Sequence, residues 1–147
     1  MATHVTHTEE RLDGLIRRLR ERGHRVTPQR LTVLRLLLDG EHPAAEEVYR
    51  RLRAVSPTSS LATVYKTIDM LRRAGEALEV QAPGRSARFD VVTPFAHPHH
   101  ICTRCGSVSD LEDIAPEVIE GLRRSAPGLV TAWRLDLFGL CATCSVS

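Results

Sequence analysis

Aromatic side chains are scarce in this 147-residue chain, where phenylalanine, tryptophan and tyrosine together make up 4%. Aliphatic side chains must therefore build most of any core. Lysine is nearly missing: 19 of the 20 basic residues are arginine, and Lys66 stands alone. No apolar run approaches the roughly 20 residues of a membrane-spanning helix. The first residues, with His4 and His7 among polar neighbours, lack the apolar stretch of a signal peptide and read as a tail. Internal repeats and low-complexity tracts are missing too. These absences predict a cytoplasmic protein with no membrane partner. There are only four cysteines. In a reducing compartment they fit metal thiolates better than structural disulfides.

What is present is ordinary in bulk and uneven in distribution. Hydrophobic residues make up 42% and charged residues 26%, as in a soluble globular protein. The length allows one large or two small domains. Residues 1–90 hold 16 of the 20 basic and 12 of the 18 acidic residues, a balance of +4, and residues 91–147 have a balance of −2. A basic N-terminal half fits nucleic-acid binding, although a solvated helical surface reads the same way.

Periodicity predicts a first helix over about 8–22, with Leu12, Leu15, Ile16 and Leu19 at helical spacing and Gly23 as its stop. Thr27-Pro28 offers an N-cap and a first-turn proline for a second helix, ending near Asp39-Gly40. A third helix is expected over 44–53 and a fourth over 61–73. Alternating segments at 77–81 and 87–92 flank the turn Pro83-Gly84 and predict two strands. This is the order of a winged helix, with 61–73 as the recognition helix and the hairpin as the wing. Other small helical domains share the pattern. Thr93-Pro94-Phe95-Ala96 reads as a linker. Beyond it, short strands are expected near 100–102 and 107–111, a helix over 116–125, and a long strand over 129–140. The predicted class is α+β, with a winged-helix domain over 1–92 and a small α/β domain over 93–147. The second is small enough to need metal or a partner for support.

Two constellations carry chemistry. Cys102-x-x-Cys105 and Cys141-x-x-Cys144 each place two thiolates at a spacing suited to tetrahedral zinc. A redox-active pair is the alternative, but two matching pairs in one small domain favour zinc. His97 and His99 lie two apart, which puts both rings on one face of a strand, while His100 points the other way and takes no assigned role. Two imidazoles need further ligands. Asp90, Asp110 and His42 are candidates, though each alone reads as an ordinary surface residue.

Three motifs together resemble the ferric uptake regulator (Fur) family: Thr27-Pro28-Gln29-Arg30, Ser60-Leu61-Ala62-Thr63-Val64-Tyr65-Lys66, and His97-Pro98-His99-His100-Ile101-Cys102-Thr103-Arg104-Cys105-Gly106. They occur in order across nearly the whole chain. The resemblance implies a transcriptional repressor, not an enzyme. It would be a homodimer whose winged helix binds double-stranded operator DNA and whose C-terminal domain dimerises. It also implies a structural zinc on Cys102, Cys105, Cys141 and Cys144. The regulatory metal positions fall on His42, Asp90, His97, His99 and Asp110. Aspartate at both carboxylate positions, with Arg88-Phe89-Asp90, resembles the peroxide-sensing branch. There, oxidation of a ligand histidine, His42 or His97 here, releases the repressor from DNA. An all-nitrogen and oxygen set suits Fe(II) or Mn(II). The resemblance places Arg25, Thr27, Gln29, Arg30, Ser60, Ala62, Thr63, Tyr65 and Lys66 at the DNA. Alternatives are an iron, manganese or other metal-uptake regulator of the same family, or a metallohydrolase from a different class. Two departures stand out. A further metal site of some members falls on Ala96, Pro98, Glu117 and Trp133, of which only Glu117 is a usual ligand, so that site is expected to be lost. One extra residue separates Asp90 from His97.

Overall fold

The structure is a computed structural model that describes residues 2–39, 42–91, 97–111 and 114–146, with side chains from residue 8 onward. Gly40, Val92 and the expected linker Thr93–Ala96 lie outside the described residues, as do the rings of His4 and His7. The chain divides into two compact units, Met1–Thr93 and Pro94–Ser147.

The first unit runs α1 (Ala2–Glu21), α2 (Pro28–Leu38), α3 (Ala45–Val55), α4 (Leu61–Arg73), β1 (Leu78–Val80) and β2 (Arg88–Asp90). Helix α1 starts six residues before the expected start at Thr8. No glycine or proline interrupts residues 2–7, and their helix was invisible to periodicity because the apolar stripe begins only at Leu12. The starts of α2 and α4 have local chemical causes. Thr27 and Ser60 are both extended, and their hydroxyls accept from the backbone N–H of Arg30 and Thr63, each at 3.3 Å. Each helix turns one apolar stripe inward. Leu12, Leu15 and Leu19 of α1 meet Val33, Leu34 and Leu37 of α2, Val48 and Leu52 of α3, and Val64, Ile68 and Leu71 of α4. The core is aliphatic apart from Phe89, as the scarcity of aromatics requires.

Strands β1 and β2 pair antiparallel, Leu78 opposite Asp90 and Val80 opposite Arg88. A short third partner joins them. Ala44 forms an isolated bridge with Arg88, and the N–H of Phe89 donates to the Pro43 carbonyl at 3.1 Å. The segment leading into α3 is thereby drawn against β2. A buried carboxylate ties α1 to the turn after α4: Glu76 Oε1 accepts from Arg18 Nε at 3.0 Å and from Arg22 Nη1 at 2.7 Å.

The second unit contains β3 (His99–Cys102), β4 (Val108–Asp110), α5 (Pro116–Ser125), β5 (Asp136–Gly139) and the short α6 (Ala142–Ser145). The sheet order is β4-β3-β5, with β3 antiparallel to β4 and parallel to β5. The long strand expected over 129–140 is thus corrected to 136–139. Strand β3 has four residues, each paired with one residue of β5, and 129–135 have no strand partner among the described residues. The segment is largely apolar, with Leu129, Val130, Ala132, Trp133 and Leu135, but apolar residues without a neighbouring strand do not make a ladder. The α+β class holds, as a winged-helix unit followed by a small α/β unit.

Candidate metal centres and nucleic-acid face

The cysteines come together through the parallel pairing of β3 and β5. Cys102 ends β3 opposite Gly139, two residues before Cys141. Gly106, at φ 76°, allows the tight turn after Cys105, with its N–H donating to the Cys102 carbonyl at 2.9 Å. Cys141 caps α6, accepting from the Cys144 N–H at 3.4 Å, and Cys102 accepts likewise from the Cys105 N–H at 3.5 Å. All four sulfurs lie within 4.8 Å of one another. Cys105 and Cys141 are 3.8 Å apart, far beyond a disulfide bond. Four sulfurs at about 2.3 Å from a central zinc stand about 3.8 Å apart at the corners of a tetrahedron. The donor set and its spacing therefore fit zinc.

The thiols do not share one protonation state. The backbone N–H of Cys105, then that of Cys141, holds Cys102 down at about 5 against its burial. The Ser107 hydroxyl lowers Cys105. Cys144 is pushed up to about 12, first by the neighbouring Cys141 sulfur and then by burial. Charge on Cys102 adds to this, opposing a further thiolate next to it. A divalent cation reverses that balance, because coordination deprotonates thiols outright.

Of the histidines and aspartates, His42 and Asp90 belong to the first unit and His97, His99 and Asp110 to the second. In the first unit, the bridge between Ala44 and Arg88 brings His42 to Asp90, with Nε2 to Oδ2 at 3.3 Å and both side chains buried. His42 is the only non-glycine residue with positive φ (52°) among the described residues. Arg88 holds it there by donating from Nη1 to the His42 carbonyl at 3.1 Å.

In the second unit, His99 lies on the central strand, directly opposite Asp110 of β4 on one side and Asp136 of β5 on the other. One rung of the sheet thus reads Asp110, His99, Asp136. His97 lies two residues before His99 and joins the cluster, with ring centroids 4.6 Å apart. Asp110 Oδ1 is 2.8 Å from His97 Nε2 and 3.7 Å from His99 Nε2. Two imidazole nitrogens thus converge on one carboxylate oxygen, a nitrogen and oxygen donor set that suits Fe(II) or Mn(II). His100 pairs with Ser109 and Leu137 one rung along and belongs to the opposite face. Glu117 joins neither group of metal-capable side chains among the described residues. With Trp133 it lines a cavity of about 780 Å³ that also touches His97 and Pro98.

Three contributors escaped the sequence reading. Asp136 lies with Oδ1 3.3 Å from His99 Nδ1, and only the parallel pairing of β5 on β3 reveals it. Arg88 fixes the backbone at His42. Glu46 accepts a hydrogen bond from the Tyr65 hydroxyl at 2.8 Å. An i to i+3 or i+4 rule would have missed that contact, since the two residues sit on different helices.

The residues expected at DNA all belong to the first unit. Arg25, Gln29, Ser60, Ala62, Tyr65 and Lys66 are exposed, and Thr27, Arg30 and Thr63 are half-buried. Thr27 and Ser60 act as helix caps, and Arg30 Nη1 donates to the Arg25 carbonyl at 2.6 Å.

Among known proteins, the "Peroxide operon regulator" of Bacillus subtilis (strain 168) is 36% identical over 129 residues, covering 86% of this chain and 88% of the relative. Among solved structures, the Campylobacter jejuni peroxide stress regulator superposes with a TM-score of 0.69 at 32% identity, covering 80% of this chain and 89% of the other. A zinc-bound manganese uptake regulator gives 0.68 at 32% identity, covering 86% and 98%. The sequence model of the ferric uptake regulator family matches residues 21–128, and the chain belongs to that family.

Proposed function

We propose that this chain is a peroxide-responsive transcriptional repressor that holds double-stranded operator DNA as a homodimer when charged with Fe(II) or Mn(II). Residues 1–92 serve as the DNA-binding domain and 93–147 as the dimerisation and metal-binding domain. The observation that carries the reading is that the imidazoles pair with aspartates: His42 with Asp90, and His97 and His99 with Asp110. Aspartate at both positions matches the peroxide-sensing branch, and a known peroxide regulator is 36% identical. The four cysteines hold a structural zinc. In the cytoplasm, reducing conditions keep their thiols available for it.

In this reading His42 and Asp90 from one domain and His97, His99 and Asp110 from the other share one ion. That shared ligation constrains the two domains together. In a dimer it sets the two α4 helices to half-sites about one helical turn apart. A coupling of about 1–3 kcal/mol suffices for such a switch. An iron held by these five side chains would supply the electron that breaks the O–O bond of peroxide beside a ligand ring. His42 or His97 gains one oxygen atom, and the other oxygen of peroxide leaves as water. An oxidised ring is a poorer ligand, so the constraint is lost and the operator is released. The dimer is supported by the apolar side chains left exposed in the second unit, among them Val118, Leu122, Leu137 and Phe138. Arg25, Arg30 and Lys66 supply phosphate contacts, and Ala62, Thr63 and Tyr65 lie near base edges.

Mass spectrometry of the iron-loaded protein after mild peroxide tests this. The peptide holding His42 or His97 is expected to gain one oxygen atom, and the manganese-loaded protein is not. Oxidation confined to cysteines would overturn the peroxide reading. The similarity to a manganese uptake regulator favours a second reading, control of metal uptake. Under it, iron-loaded protein keeps its hold on the operator after peroxide. A metallohydrolase would show no metal-dependent operator binding in a gel-shift assay.

A further inference from the structure

We propose that Asp136 is a positioning residue for the regulatory metal. Its carboxylate holds the ring proton of His99 on Nδ1 and so keeps the Nε2 lone pair aimed at Asp110 and the ion. This rests on the reading of His99 as a ligand.

A neutral imidazole carries one ring proton, and it must choose a nitrogen. The choice decides function here, because only the unprotonated nitrogen can coordinate. His99 is 1% exposed, so water cannot serve both nitrogens freely. Nδ1 lies 3.3 Å from Asp136 Oδ1, and Nε2 lies 3.7 Å from Asp110 Oδ1. The closer carboxylate takes the N–H, and Nε2 keeps its lone pair. Asp136 is itself fixed. It occupies the His99 rung by parallel pairing, and Arg134 Nε donates to its other oxygen, Oδ2. The ring of His99 stands between the two carboxylates, so Asp136 faces the nitrogen that does not coordinate. A carboxylate in that place fixes the tautomer, stops ring rotation and strengthens the ligand, and its loss typically weakens metal binding about 10- to 100-fold. The mechanism proposed above does not use Asp136, and the ligand set inferred from sequence does not contain it.

The full-length, zinc-loaded protein with the regulatory metal removed gives the direct test. A long-range proton–nitrogen correlation of the His99 ring, assigned by its disappearance in His99→Asn, is expected to show protonation at Nδ1. Asp136→Ala is expected to redistribute the proton toward Nε2. It should weaken Mn(II) binding about 10- to 100-fold in competition with a chelator. Asp136→Asn, whose amide oxygen still accepts from Nδ1, should lose less. Zinc content and melting temperature report whether each variant folds. If Asp136→Ala does not fold, the tautomer of the unaltered protein and the Asn variant still decide. A His99 ring protonated on Nε2 in the unaltered protein, or unchanged manganese affinity in a folded Asp136→Ala, would overturn the proposal. If the unaltered protein binds no manganese through His97, His99 and Asp110, the regulatory-site reading fails instead, while the tautomer still judges Asp136.

Discussion

Tyr65 is exposed on α4, yet its hydroxyl is engaged, donating to Glu46 of α3 at 2.8 Å. That bond needs the phenol proton. The carboxylate therefore raises the Tyr65 pKa above the ordinary 10.0, chiefly through the hydrogen bond, then through desolvation and charge repulsion. The sign of the linkage follows. The bond contributes fully below the unfolded value, about pH 10, and is lost as pH rises through the higher folded value. Near neutral pH Tyr65 therefore keeps its phenol proton. Ultraviolet absorbance titration of a Tyr49→Phe background isolates this phenol. Glu46→Gln is expected to shift its curve toward lower pH, and coincident curves would show that the bond does not persist in solution. His42 makes a different residue-scale point. Its left-handed backbone is unusual for a residue before proline and costs about 1 kcal/mol. Nothing in its sequence neighbourhood announces this. It follows from the pairing of residues 43–44 with β2 and from the hold of Arg88, and it places the ring at Asp90.

The helices were largely legible because their signals are local. The start of α2 was written in Thr27-Pro28, and the polar break before α4 in Ser56–Ser60. Three-residue strands carry less periodicity, yet β1 and β2 were found because Pro83-Gly84 marked the turn between them. The failure at 129–135 has the opposite cause, since a strand depends on a partner that no local pattern specifies. The cap on α4 gives an element-scale prediction. Ser60 satisfies the Thr63 N–H, one of the orphan donors at the helix start. Ser60→Ala should cost about 1 kcal/mol, while Ser60→Gly should cost only a few tenths. Urea unfolding measures both. If the two variants lost equal stability, the hydroxyl would not be acting as a cap. The same pair sorts capping from DNA contact: a cap mutant weakens all operators alike through the helix, whereas a lost base contact changes sequence preference.

At the scale of the molecule, the two units differ in what holds them together. The hydrophobic cluster that unites sixteen buried residues, from Leu12 to Val91, lies wholly in the first unit. The buried hydrophobic residues of the second are Ile101, Cys102 and Val108 among the described ones, and α5 buries none of its side chains. Seven of the ten exposed large hydrophobics also lie there, from Val118 to Val146. A sheet of three short strands with so little core is below what burial alone sustains. The sequence could show this weakness and the two cysteine pairs. It could not show that a parallel strand would carry Cys141 to Cys105, or set Asp136 beside His99, because both depend on long-range pairing. The zinc-fitting tetrad ties β3 to the end of β5, so metal binding there is largely folding energy. Stripping zinc with a strong chelator should therefore abolish hydrogen-exchange protection over residues 97–111 and 136–146 while leaving that of α2, α3 and α4 nearly intact. Cys105→Ser should act in the same direction as the chelator. Without metal, Cys102 is pulled toward the thiolate and Cys144 toward the thiol, so only weak sulfur contacts remain where zinc would make four bonds. Protection that persists across the second unit after complete zinc removal would show that its small core, or its contact with a second copy, is enough. Loss spreading through α2–α4 would show that the first unit does not stand on its own aliphatic core.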